Sequence, residues 1–141
     1  MDKTILVIED EPFTVERLVE HLRDHSGYYV EVVAGVEPAI ERLTVRKFDV
    51  IVLDIMMAHQ GTIGDVPPKR TGIYFVKALR SGTIAGRDVS ANAKVPIVVL
   101  TGVSGPNDIA AIRDMQGAEL LRKPAGCEQL VAAIQRAIEM Q

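Results

Sequence analysis

The chain has 141 residues, of which 48% are hydrophobic and 25% charged, with a formal net charge of −3. That length suits one domain with a two- or three-layer core and is too short for two ordinary domains. The acidic balance leaves no basic stripe for direct nucleic-acid binding, and no apolar stretch approaches the roughly 20 residues that span a bilayer. Cys127 is the only cysteine, so no internal disulfide forms and no oxidising compartment is implied. The opening residues lack the features of a signal peptide, and cytoplasm is the expected location.

Short β-branched runs alternate with stretches of helical periodicity, the pattern of repeated βα units and a parallel sheet. Ile5 to Ile8 form the first run, and a helix is expected from Pro12, a residue suited to a first helical turn. Val15, Leu18, Val19 and Leu22 fall on one face of it, and Gly27 is the stop. A strand at Val30 to Val33 follows, then a helix from about Pro38 to Lys47 and a strand from Asp49 to Asp54.

From Ala58 to Thr71 the pattern lapses, with Gly61, Gly64, Pro67 and Pro68; a loop this long in a compact domain is often functional or mobile. A helix over Gly72 to Arg80 comes next, then a polar connection, Ser81 to Lys94, and a strand from Val95 to Leu100. Asn107 or Asp108 caps a helix carrying Ile109, Ile112 and Met115, which stops at Gly117. A final strand contains Leu120 to Arg122, and a final helix carries Leu130, Val131, Ile134 and Ile138. The expected fold is α/β: a single open, doubly wound, five-stranded parallel sheet with five helices. Five units are too few to close an eight-stranded barrel, and the strands read as continuous apolar runs, as they do when both faces are covered.

The ends of these strands carry the chemistry. The first delivers Glu9 and Asp10, the third Asp54, the fourth Thr101 and the fifth Lys123 followed by Pro124. In a parallel sheet all of these arrive at one edge, where open α/β folds place their sites. An aspartate that attacks phosphorus gives an acyl phosphate, and that reaction needs a divalent cation to offset charge on both partners. Glu9 and Asp10 supply further carboxylate for such an ion, and Mg²⁺ takes carboxylates, waters and phosphate oxygens. Lys123 offers a compact positive charge and Thr101 a hydroxyl donor. Singly, each has a bland reading: acids after a strand cap helices, a strand-end Thr reflects β-propensity, and a Lys before Pro is surface charge. Asp54, closing a wholly apolar strand, is harder to dismiss, because uncompensated burial of a carboxylate is costly.

With these segments in order, the chain resembles the receiver domain of the two-component response regulators over essentially its whole length. Ile5-Leu6-Val7-Ile8-Glu9-Asp10-Glu11-Pro12 resembles the family's acidic opening motif and Val50 to Met57 its phosphoacceptor strand. Val95 to Gly102 resembles its switch-hydroxyl strand, and Leu121-Arg122-Lys123-Pro124 its lysine-proline motif. The resemblance implies a flavodoxin-like receiver fold spanning 1–141, with an extended loop at about 58–71. It implies that Asp54 accepts a phosphoryl group from a sensor histidine kinase or phosphotransfer protein. Asp10, Asp54 and the backbone carbonyl of Met56 would hold Mg²⁺ (or Mn²⁺), with Glu9 assisting through water. Thr101 and Lys123 would contact the phosphoryl group and relay its presence to a downstream target protein. Such a protein catalyses its own phosphorylation and slow dephosphorylation and is not a turnover enzyme; no nucleic-acid or membrane partner is implied.

Three positions depart from the family pattern. Ala58-His59-Gln60 opens a loop that is longer than usual by roughly ten residues, and Lys69 and Arg70 lie on it. The usual switch aromatic of the last strand is replaced by Leu120 or Leu121, and Ala125 stands where an aromatic is common. These departures keep a second reading in view, a receiver-like interaction module that works without phosphorylation. Other phosphate-handling classes fit less well. A dehalogenase-type phosphatase carries a second Asp two residues after its nucleophile, where Met56 stands. A flavin binder would not place Glu9-Asp10-Glu11 in its phosphate loop, and no Gly-x-x-x-x-Gly-Lys signature of a nucleotide hydrolase is present.

Overall fold

A computed structural model describes residues 3–9, 15–54, 71–101, 110, 113, 117–122 and 126–139. In chain order the elements are β1 (Thr4–Ile8), α1 (Glu16–Ser26), β2 (Tyr29–Val33), α2 (Val36–Val45), β3 (Val50–Asp54) and α3 (Thr71–Ser81). After them come two short strands, β4 (Thr83–Ile84) and β5 (Arg87–Asp88), a 3-10 turn at Ser90–Asn92, then β6 (Ile97–Thr101), β7 (Ala118–Arg122) and α4 (Cys127–Glu139). The five long strands form one parallel sheet in the order β2-β1-β3-β6-β7. Between β6 and β7 the backbone is helical at Ala110 and Arg113, and the rest of the helix expected there lies outside the described residues, as do the expected helix start at Pro12 and residues 58–70 of the long loop.

Strand alternation divides the apolar side chains into two cores. Leu6, Ile8, Ile51, Leu53, Ile97 and Val99 face α2 and α3, where Ile40, Leu43, Phe75 and Leu79 cover them. Ile5, Val7, Val50, Val52, Val98 and Leu100 face α1 and α4, where Val19, Leu22, Leu130 and Ile134 cover them. The central strands β1, β3 and β6 therefore need apolar residues at every interior position, whereas the edge strands β2 and β7 admit Glu31 and Glu119. In α4 the buried stripe includes Ala133 and Ala137 beside Leu130 and Ile134, so small residues let this helix lie close to the sheet.

Element ends follow local chemistry. Gly27 closes α1 at φ 67°, and its N–H donates to the Leu22 carbonyl. α2 starts at Val36, two residues before the expected Pro38, because Pro38 falls within the first turn, where N–H groups have no helical partner to lose. β6 starts at Ile97 rather than Val95, after Pro96, which has no N–H to donate; the Pro96 carbonyl still accepts the Ile51 N–H at 3.0 Å.

The clearest departure from expectation is the segment 81–94, read from sequence as a polar connection. It holds a β-hairpin in which Thr83 pairs with Asp88 and Ile84 with Arg87. Ile84 and Val89 plug its base into the α2–α3 core. The two-residue turn is Ala85-Gly86, with φ of 50° and 79°, left-handed values suited to a tight hairpin. Asp88 Oδ1 accepts the Ser90 N–H at 2.9 Å, and the Ser90 side chain first, with this backbone bond second, holds the Asp88 carboxyl below its ordinary range. Asn92, fully buried, then ties the segment to the α2–β3 connection. Its Oδ1 accepts the Phe48 N–H at 2.8 Å, and its Nδ2 donates to the carbonyls of Leu43 at 3.0 Å and Arg46 at 2.9 Å.

Two stability changes follow. Asn92→Ala strands one donor and two acceptors in the interior and is expected to cost about 2–4 kcal/mol, read as a lower urea midpoint. Ala85→Asn relieves a left-handed alanine and is expected to gain about 0.5–1 kcal/mol in the same measurement.

Candidate functional site

β1 and β3 lie side by side in the sheet, yet the chain leaves them in opposite directions, β1 toward β2 and β3 toward β6. Such a reversal, beyond the carboxyl ends of the two strands, is the usual ligand position in open α/β sheets. Ile8 is level with Leu53 in the β1–β3 register, so Glu9 and Asp54 occupy the next row. The Glu9 N–H donates to the Val33 carbonyl at 3.0 Å and keeps the residue in line with the sheet. Asp54 shares its face with Val50 and Val52, and Glu9 follows the alternation of Ile5 and Val7, so the two carboxylates share the α1–α4 side. Both are buried, Glu9 at 3% and Asp54 at 6% exposure.

The same row continues through Leu100, the register partner of Asp54, to Leu121, the partner of Leu100. Leu100 is itself buried, so Asp54 has a carboxylate on one flank and a dry apolar neighbour on the other. The sequence drew attention to Thr101 and passed over Leu100; the missing signal is the register, because strand pairing and not chain position makes Leu100 the neighbour. The Thr101 backbone lies one residue beyond this row, paired with Arg122.

The structure therefore brings Glu9 and Asp54 together and puts the Thr101 backbone one step past them. Asp10, Met56 and Lys123 lie outside the described residues; they directly follow Glu9, come two residues after Asp54 and directly follow Arg122. Among the described residues Glu9 and Asp54 are the carboxylates at this edge, the third expected acid, Asp10, lying outside them, and no group of three or more His, Cys, Asp and Glu forms among the described residues. At the two positions considered for the absent aromatic, Leu120 packs on the α2–α3 core and Leu121 on the α1–α4 core. No helix of the described residues is long and apolar enough to cross a membrane.

The sequence matches the family described as response regulator receiver domain across residues 5–135. The chain belongs to this family. It is 26% identical over 137 residues to the response regulator ArlR of Staphylococcus saprophyticus, covering 97% of this chain and 53% of that protein. It is 30% identical over 137 residues to the transcriptional regulatory protein PdtaR of Mycobacterium tuberculosis, covering 96% of this chain and 57% of that protein. This receiver thus spans about half the length of the curated relatives it matches. Its fold superposes on the receiver domain of the sensor histidine kinase PA1611 of Pseudomonas aeruginosa PAO1 with a TM-score of 0.72 and 21% identity, covering 99% of each chain. That structure is described with a magnesium ion coordinated in its active-site cleft.

Proposed function

We propose that this receiver takes a phosphoryl group from a histidine kinase or phosphotransfer protein onto Asp54, in a Mg²⁺-dependent reaction, and signals to a partner protein. The observation that carries the reading is the pairing of buried Glu9 and Asp54 at the sheet's switch point. Two carboxylates in one buried row repel unless positive charge joins them. That donor set, completed by Asp10 and the Met56 carbonyl, fits a hard divalent cation with an oxygen preference. When bound, Mg²⁺ neutralises carboxylate and phosphoryl oxygens so that anion can approach anion.

The chain's own groups do the rest. An Asp54 carboxylate oxygen attacks phosphorus, the phosphorus–nitrogen bond of the donor phosphohistidine, protonated on its other ring nitrogen, breaks, and the electron pair returns to the imidazole. The products are an acyl phosphate on Asp54 and a neutral histidine. Lys123 supplies positive charge to the transferred group, and the Thr101 hydroxyl donates to one of its oxygens. Leu100, beside Asp54, excludes water from one side of the acyl phosphate and so slows its hydrolysis. The domain turns over no substrate of its own, extends over 1–141 with the long loop at about 58–71, and works in the cytoplasm.

The test is intact-protein mass after incubation with acetyl phosphate and Mg²⁺. One added phosphoryl group is expected, absent in Asp54→Asn and absent in chelator. No adduct with any phosphodonor, together with no binding of beryllofluoride, would leave the phosphorylation-independent reading, which the aliphatic Leu120 packed against the core also favours. Cation binding has its own readout: Mg²⁺ raises the melting temperature of the wild-type chain, and the rise is reduced at least twofold in Asp54→Asn.

A further inference from the structure

The hairpin segment and the α2–β3 connection enclose an open depression of about 370 Å³ at the sheet edge opposite Glu9 and Asp54. Ala91, Ala93 and Pro96 give it an accessible apolar wall over buried Phe48 and Val95, with Ser90 beside them and Lys47 and Lys94 on its rim. Both lysines are exposed, and neither has a hydrogen bond or ion pair among the described residues. The carboxylates nearest in the chain are engaged elsewhere: Asp49 Oδ2 accepts the Thr4 N–H at 2.8 Å, and Asp88 Oδ1 accepts the Ser90 N–H at 2.9 Å. The walls are fixed by the three hydrogen bonds of Asn92 and by buried Ile84 and Val89.

We propose that this depression docks an acidic peptide segment of a protein partner. One apolar side chain sits against Ala91, Ala93 and Pro96, and flanking carboxylates pair with Lys47 and Lys94. The concavity costs little to order because its walls are already held, so loss of freedom falls on the peptide alone. A second copy of the chain is a poor occupant, since a two-fold axis would set these lysines against their own equivalents. Nucleic acid is a poorer one, because two ammonium groups on a chain of net charge −3 neutralise too few phosphates. The surface lies at the far edge from Asp54, so docking does not depend on phosphorylation, and the proposal stands whether or not Asp54 accepts a phosphoryl group.

The test is a titration of the ¹⁵N-labelled full chain with a synthetic peptide of alternating leucine and paired glutamates, read by amide shifts. Shifts confined to the amides around Lys47-Phe48 and Ser90 to Val95 are expected, with affinity unchanged by beryllofluoride. Affinity is expected to fall at least tenfold in Lys47→Glu/Lys94→Glu, whose melting temperature stays at the wild-type value because both side chains are exposed. A lysine-for-glutamate analogue is expected not to bind. Several results would overturn the proposal: no shifts at millimolar peptide, shifts centred elsewhere, or equal binding of the lysine analogue. Tighter binding of a single-stranded oligonucleotide, or self-association abolished by the double variant, would also overturn it by naming a different occupant.

Discussion

The parallel pairing of β1 with β3 is the constraint on which the rest of this receiver depends. Ile5 meets Val50 and Ile8 meets Leu53, and that register puts Glu9 beside Asp54. A slip of one residue would turn every side chain of β1 to the opposite face, exchanging Leu6 and Ile8 with Ile5 and Val7 between two differently shaped cores. It would also separate the two carboxylates. The hydrophobic cores thus hold the polar pair in place: a buried carboxylate is unfavourable in itself, and its position is enforced by apolar packing on both sides of the strand that carries it.

The same division separates a sheet end that carries polar residues from one that is a scaffold. At the carboxyl ends β1 is followed by Glu9, and β3 and β6 end on Asp54 and Thr101, where the chain direction reverses between β1 and β3. At the amino ends the backbone is closed off by local bonds. The Asp49 N–H donates to the Thr4 carbonyl, the Thr4 N–H to Asp49 Oδ2, and the Ile51 N–H to the Pro96 carbonyl. Arg46 adds a cation over the rings of Tyr29 and Phe48, at 5.1 and 5.5 Å from their centroids. Asn92 belongs to this closure, because it satisfies three backbone groups of the α2–β3 connection that no ladder reaches. A firmly held amino end lets the opposite edge carry charged groups without loosening the sheet.

The aliphatic residues of β7 bear on how a change at Asp54 would travel. Leu120 is packed against the α2–α3 core, so it lacks both the polar handle and the swinging ring that an aromatic would offer. Leu121 and Leu100 instead extend the Asp54 row as a continuous apolar strip on the α1–α4 face. Coupling along this strip would run through packing, with side chains that have few alternative positions in a close-packed layer.

Much of this was legible in the sequence, for a physical reason. Strands buried on both faces must be apolar throughout, so Ile5 to Ile8, Val50 to Leu53 and Ile97 to Leu100 declared themselves, and the polar residues closing them marked one edge of the sheet. Gly27 and the stripe of Val15, Val19 and Leu22 declared α1 in the same way. The hairpin at Thr83–Asp88 did not, because strands of two residues have no periodicity and Ala85-Gly86 lacks the usual turn signature; only the burial of Ile84 and Val89 makes it form. Asn92 looked like loop polarity, and its role exists only because folding brings Leu43, Arg46 and Phe48 to it from more than forty residues away. Site residue types are local and can be read in a line of text. Which of them share a row is a property of strand pairing, and so the pairing of Glu9 with Asp54, and the dry flank supplied by Leu100, were decided by the tertiary structure alone.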